Sequence, residues 1–228
     1  KKKNLFYLDK IEKKYSNKKI FVETFINHPA YTLSNIIVAK YLQKLKGGQI
    51  VGIIRKNDVK SEVLFRAYGV ENIIYFDGPN FILRIYYLIK ASIINYKLAD
   101  FKKSTNFKYN KIDVGLTSYD TYIRYLRKPT INEIDTNFII FFSQSLYATD
   151  FFQKKLFFKE KRKTYLIQSE TQFYPLNILF QVCLKNGSEA FSRSGLEEFT
   201  VRHYNNWRQR YSYRGSFSQK LFNLIFSK

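Results

Sequence analysis

Chemistry in this chain has to come from carboxylates, guanidinium groups and polar hydroxyls, because soft ligands are scarce: Cys183 is the one Cys, and His28 and His203 are the two His. Four short stretches combine suitable types. Asn27 and His28 stand just ahead of Pro29; Tyr119 and Asp120 precede Arg124; Ser169, Glu170 and Thr171 run together; and Arg193 is followed by Ser194 and Gly195. A carboxylate such as Asp120 or Glu170 is the group needed to take a proton from a hydroxyl. A planar guanidinium such as Arg124 or Arg193 grips phosphate or carboxylate oxygens in pairs. Each position also has a structural reading. His28 fits a cap or staple of the turn at Pro29, just before a helix, Asp120 fits a helix carboxylate paired with Arg124 at i,i+4, and Glu170 fits an exposed loop acid. No GxGxxG, GxxxxGK[ST] or GxSxG segment follows any expected strand, which disfavours dinucleotide, P-loop and serine-hydrolase chemistry. The two His and single Cys are too few for a zinc site, and no metal or bound cofactor is expected.

The elements that would position these groups alternate in kind. Lys19 to Phe25 predicts a strand, Tyr31 to Lys46 a helix stopped by Gly47 and Gly48, Gln49 to Arg55 a second strand, Val59 to Tyr68 a helix and Asn72 to Phe76 a third strand. Then come a helix from about Asn80 to Ala99, a basic loop from Asp100 to Asn110, and a short strand Ile112 to Leu116. A short helix Tyr119 to Arg127 and a long one from Asn132 to about Lys159 follow. Beyond them lie a strand Thr164 to Gln168, a helix Leu176 to Lys185 and a strand Glu189 to Ser192, with a segment from Leu196 that starts helical. This alternation is that of an α/β fold with a doubly wound, mostly parallel sheet. In such sheets ligands bind beyond the carboxyl ends of the strands, and every candidate above falls in one of those loops or the turn after it.

The chain of 228 residues can bury roughly 70 % of its unfolded surface, so it needs no staple. A lone thiol suits a reducing, cytoplasmic compartment. Hydrophobic residues at 45 % and aromatic ones at 18 % exclude a disordered basic tail. The apolar runs are interrupted by charges before reaching the 18 or so residues of a spanning helix. The sequence begins at Lys1 without Met, which fits a fragment of a longer polypeptide.

Three stretches, Val22 to Arg55, Asp113 to Ile131 and Tyr165 to Gly195, resemble the N-terminal half of bacterial surface-polysaccharide glycosyltransferases with the two-domain GT-B fold. Gly115, Tyr119, Asp120, Tyr122, Ile123 and Arg124 align with a GDxxYDxYLR-like motif of that group, with Leu116 in place of the Asp after the glycine. The resemblance implies a Rossmann-like domain over residues 19–199, between a basic arm at 1–18 and a basic aromatic segment at 200–228 leading to a donor-binding domain. It implies transfer of a sugar from a nucleotide sugar to a glycan or lipid-linked acceptor. Asp120 or Glu170 would serve as base, and His28, Asn27, Tyr119, Arg124, Ser169 and Arg193 would hold substrate.

The formal charge of +21 admits a competing reading, a non-enzymatic module for nucleic acid or anionic membrane, carried by basic and aromatic residues from His203 to Tyr211. Against specific nucleic-acid binding, Lys outnumbers Arg by 28 to 11 and no known binding motif occurs. Residues 1–19 carry a net +6 and residues 200–228 another +6, leaving +9 for the centre. Charge concentrated in terminal arms fits peripheral attachment to the anionic inner leaflet of a bacterial plasma membrane.

Overall fold

A computed structural model describes residues 18–26, 28–127, 130–131, 133–157, 163–194, 200–207 and 209. Asn27, the N-terminal arm to residue 17 and the chain after residue 209 lie outside them. Six strands, β1 (Lys19–Glu23), β2 (Gln49–Arg55), β3 (Ile73–Phe76), β4 (Thr164–Gln168), β5 (Glu189–Ser194) and β6 (Thr200–Tyr204), form one sheet in the order β3-β2-β1-β4-β5-β6. All neighbours are parallel except β5 and β6. The helices are α1 (Pro29–Lys46), α2 (Val59–Ala67), α3 (Phe81–Leu98), α4 (Phe101–Thr105), α5 (Val114–Leu126), α6 (Thr136–Phe157) and α7 (Leu176–Lys185). This is the doubly wound, Rossmann-like α/β architecture that the sequence pattern predicts.

Both faces of the sheet are covered, so its central strands read as unbroken apolar runs whose alternate residues face opposite ways. Phe21, Val51, Ile53 and Leu166 join the core built with α3, α5, α6 and α7. Ile20, Val22, Ile50, Ile54, Tyr165 and Ile167 join a smaller core with α1 and α2. Local chemistry sets the helix ends. Pro29 opens α1, and His28 caps it by accepting from the Ala30 N–H at 3.3 Å. Asp58, Asn80 and Asp100 cap α2, α3 and α4 by accepting from N–H groups three residues on. Gly47 ends α1 at φ 70°.

Three expectations fail. No strand forms at Ile112–Leu116: Ile112 makes a single bridge to Tyr109, and α5 begins two residues later at Val114. The run IDVGL alternates like a strand, but Thr117 and Ser118 turn their hydroxyls back onto the Asp113 and Val114 carbonyls, as helical residues do. The expected loop at Asp100–Asn110 holds α4. At the C-terminal end, the sequence pattern predicts helix from Leu196; residues 195–199 lie outside the described residues, and Thr200–Tyr204 form the antiparallel strand β6, with Tyr204 set edge-on against Phe180 at 5.2 Å.

Gly115 explains how α5 can start where it does. A Cβ there would lie 2.0 Å from the Ser104 carbonyl oxygen and 2.7 Å from that of Thr105, so the helix presses directly on the end of α4. Gly115→Ala gains about 1 kcal/mol of helix propensity but forces two backbones apart, an overpacking cost of about 3 kcal/mol. The clash should win, giving a net loss of about 2 kcal/mol in urea unfolding. An alanine variant as stable as the parent would show that this contact does not hold.

Candidate functional site

The order β3-β2-β1-β4-β5-β6 places the reversal of strand order between β1 and β4, and the carboxyl ends of those two strands bound the crevice where this architecture binds ligands. The two strands pair as far as Val22 and Ile167 and then part. Glu23, the last residue of β1, fills the fork. One carboxyl oxygen accepts from the Phe25 N–H at 2.7 Å and the other from the Ser169 N–H at 2.6 Å. The side chain thus continues the connection between β1 and β4 after the backbone ladder has stopped.

Asn35, buried on α1, ties the same place to the opposite helix layer. Its Nδ2 donates to the Glu23 carbonyl at 3.0 Å and to Ser169 Oγ at 2.9 Å. Glu23 is wholly buried. Loss of hydration raises its carboxyl to a pKa of about 7, against the lowering effect of the two N–H groups and Ser169, and the nearby charge of Glu170 adds to the rise.

Several buried polar atoms around this fork have no hydrogen-bond partner among the described residues: Thr24 Oγ1, Asn35 Oδ1, both amide atoms of Gln168 and Arg193 Nε. Buried polar groups are normally paired with protein, water or ligand. They lie just after β1, on α1 and at the ends of β4 and β5, so polar groups gather at the crevice.

Above the fork, Arg193 at the end of β5 lies with its guanidinium 4.2 Å over the ring of Tyr31, and His28 meets the same ring edge-on at 5.4 Å. Tyr31 and Asn35 are one turn apart on α1, so His28, Arg193 and Ser169 all converge on its first turns. Glu170, half-buried, accepts from its neighbour Thr171 N–H at 2.7 Å.

The loop that starts at Ser169 and Glu170 then reaches α5. Arg124 lies 4.1 Å over the Phe173 ring, and the Tyr174 N–H donates to Thr121 Oγ1 at 3.0 Å. Beneath it, Asn177 Nδ2 donates to the Thr171 carbonyl at 2.6 Å, and its Oδ1 accepts from Gln181 Nε2 at 2.6 Å and from Thr117 Oγ1 at 2.5 Å. These buried amides lock the loop to α5 and α7.

Of the residues singled out in the sequence, the fold therefore gathers His28, Ser169, Glu170 and Arg193 at the β1/β4 crevice. Arg124 sits at the far end of the connecting loop. Asp120, half-buried on α5, lies one turn ahead of Arg124 on the same helix flank. Tyr119 points elsewhere: its ring packs edge-on against Phe101 at 5.9 Å and its hydroxyl meets Thr130 Oγ1 at 3.1 Å. Asn27 lies outside the described residues. Among the described residues, no three His, Cys, Asp or Glu side chains come together as a metal site.

Glu23, Asn35, Gln168 and Tyr31 were not legible as site residues. The available signal was a carboxylate closing an apolar β-run, KIFVE, which the expected strand to Phe25 hid inside the element.

The pH response of stability follows from Glu23. Its carboxyl titrates near 4.5 when unfolded and near 7 when folded, so between those values the folded state keeps a proton that the unfolded state has lost. Stability then falls as pH rises through this window, by about 3 kcal/mol in all, and the loss is complete above the folded value. Glu23→Gln should abolish this drop, so that the stability difference between parent and variant moves by about 3 kcal/mol from about pH 4 to about pH 8 in urea titrations. A pH-independent difference would contradict the burial of an ionisable group here.

The chain matches no protein-family model, and no significant match exists among curated proteins or solved structures.

Proposed function

We propose that this chain is the acceptor-side domain of a glycosyltransferase of bacterial surface-polysaccharide synthesis, moving a sugar from a nucleotide-sugar donor to a glycan or lipid-linked acceptor. The observation that carries the reading is the β1/β4 crevice, where Glu170 follows the end of β4 and Arg193, at the end of β5, lies over Tyr31, close to buried polar atoms that lack partners among the described residues. An acceptor sugar offers hydroxyls for those atoms and commonly an acidic group for the cations.

In this reading Glu170 takes the proton of the acceptor hydroxyl. The freed oxygen pair forms the new bond to the anomeric carbon, and the bond from that carbon to the donor phosphate breaks with its electrons leaving on phosphate. Arg193, His28 and the amino end of α1, which has no acid in its first turn, offer positive potential for an anionic substituent. Arg124 offers the same at the far end of the loop, near Asp120, the alternative base. Glu23 is a positioning residue, because its carboxylate holds the Ser169 N–H and so fixes the start of the segment that carries Glu170.

The test is transfer of labelled sugar from a panel of nucleotide sugars by the protein in its native full length. Glu170→Gln should lower kcat about a thousandfold with little change in acceptor KM, the size expected for loss of a general base. Arg193→Ala should instead raise acceptor KM about tenfold. Turnover unchanged in both Glu170→Gln and Asp120→Asn would remove the assignment.

A further inference from the structure

We infer that α3 is a membrane-docking helix that lies in the plane of an anionic lipid surface. The helix packs on α6 through one side only: Tyr87, Ala91 and Asn95 are buried there, with the Tyr87 hydroxyl donating to Asp150 at 2.8 Å. The opposite side carries Ile82, Ile85 with adjacent Tyr86, Ile89, Ile93 and Tyr96, in steps of three or four residues, and all are exposed. Spacing of that kind makes one continuous stripe along a helix of about 27 Å. Phe81 and Ile82 at its amino end are 78 % and 76 % exposed, and Tyr96 near its other end is 86 % exposed. The polarity of an ordinary surface helix is reversed, and a contiguous apolar patch of this size marks an interaction face.

Charge identifies the occupant. From residue 80 to residue 111 the chain has Asp100 as its one acid against Arg84, Lys90, Lys97, Lys102, Lys103, Lys108 and Lys111. Lys90 is engaged by the Tyr109 hydroxyl at 2.7 Å. Lys90 and exposed Lys97 lie along one flank of the stripe, and exposed Lys102 and Lys103 follow on the adjoining α4. An apolar face with a basic border is what anionic headgroups over acyl chains complement. A second copy docked stripe to stripe would instead bring the basic rims of two chains, each carrying +21, against each other. None of the described helices is long and apolar enough to cross a membrane, so α3 would lie flat. Tyr86 and Tyr96 have the ring-plus-hydroxyl character favoured at headgroup depth.

The position of α3 is also suited to the crevice. It starts five residues after β3 ends, so its amino end, with exposed Phe81 and Ile82, starts from the same edge of the sheet as the β1/β4 fork. Where the acceptor is lipid-linked, an idea that rests on the proposed function, docking would bring the crevice to the headgroup layer.

Co-sedimentation of the full chain with vesicles of equimolar phosphatidylglycerol and phosphatidylcholine, and with phosphatidylcholine alone, tests the inference. The parent should bind the anionic vesicles more tightly, and Ile82→Gln with Ile89→Gln and Ile93→Gln together should weaken binding about tenfold or more. These positions are exposed, so unchanged circular dichroism is expected. Ile89→Trp should shift its emission to the blue on vesicles and be quenched by brominated acyl chains. Glu170→Gln should leave vesicle binding unaltered, which separates failure of docking from failure of the transfer reading. Three results would overturn the inference: a parent that does not bind, binding by the terminal arms that the triple variant leaves intact, or a parent dimer in sedimentation velocity that the triple variant splits.

Discussion

The carboxylate of Glu23 sits where two strands must separate for a crevice to exist. Parallel strands that stop pairing leave N–H groups pointing into the gap, and in a buried region each would cost free energy if unpaired. Glu23 answers two of them with one side chain, accepting from Phe25 on its own strand and from Ser169 across the gap. The crevice is thereby held open at a fixed width. An ionised group in this place is itself expensive, which is why its proton affinity is raised to match neutral solution. Asn35 then adds the α1 layer to the same junction, so sheet, helix and loop share one polar knot.

The rest of the crevice follows from that knot. Ser169 is pinned on both its amide and its hydroxyl, so Glu170 departs from a fixed point. The segment continues over Phe173, where Arg124 stacks, and is fastened below by the amides of Asn177 and Gln181. A rigid loop between two helices of the larger core is a suitable carrier for a group that must meet a substrate atom within a few tenths of an ångström. The same core leaves α3 attached by one side, with its apolar stripe turned outward.

The sheet was readable in the sequence because parallel strands buried on both faces are unbroken apolar runs. Gln49–Arg55 and Thr164–Gln168 have the limits that their residues announce, and Gly47 stops α1 where expected. The strand misread at Ile112–Leu116 shows the limit of periodicity: five residues of alternating apolarity fit either element, and the close approach of Gly115 to α4 decided for helix. The loops after β4 and β5 were recognisable as crevice rims, since the rule about strand ends needs only strand positions. Glu23 and Asn35 were hidden for the opposite reason. Each lies within an element whose pattern speaks of packing, and only three-dimensional contact reveals that their polarity faces the fork. Tyr119 fell on the wrong side of α5 because a helix motif read as a line does not say which face meets the loop.

The most direct test is a carbon-detected NMR titration of the Glu23 side-chain carboxyl in the folded protein. A midpoint near 7 is the result expected of a wholly buried carboxylate that bridges β1 and β4. A midpoint at the ordinary 4.5 of a solvated glutamate would contradict the bridge and the crevice built on it.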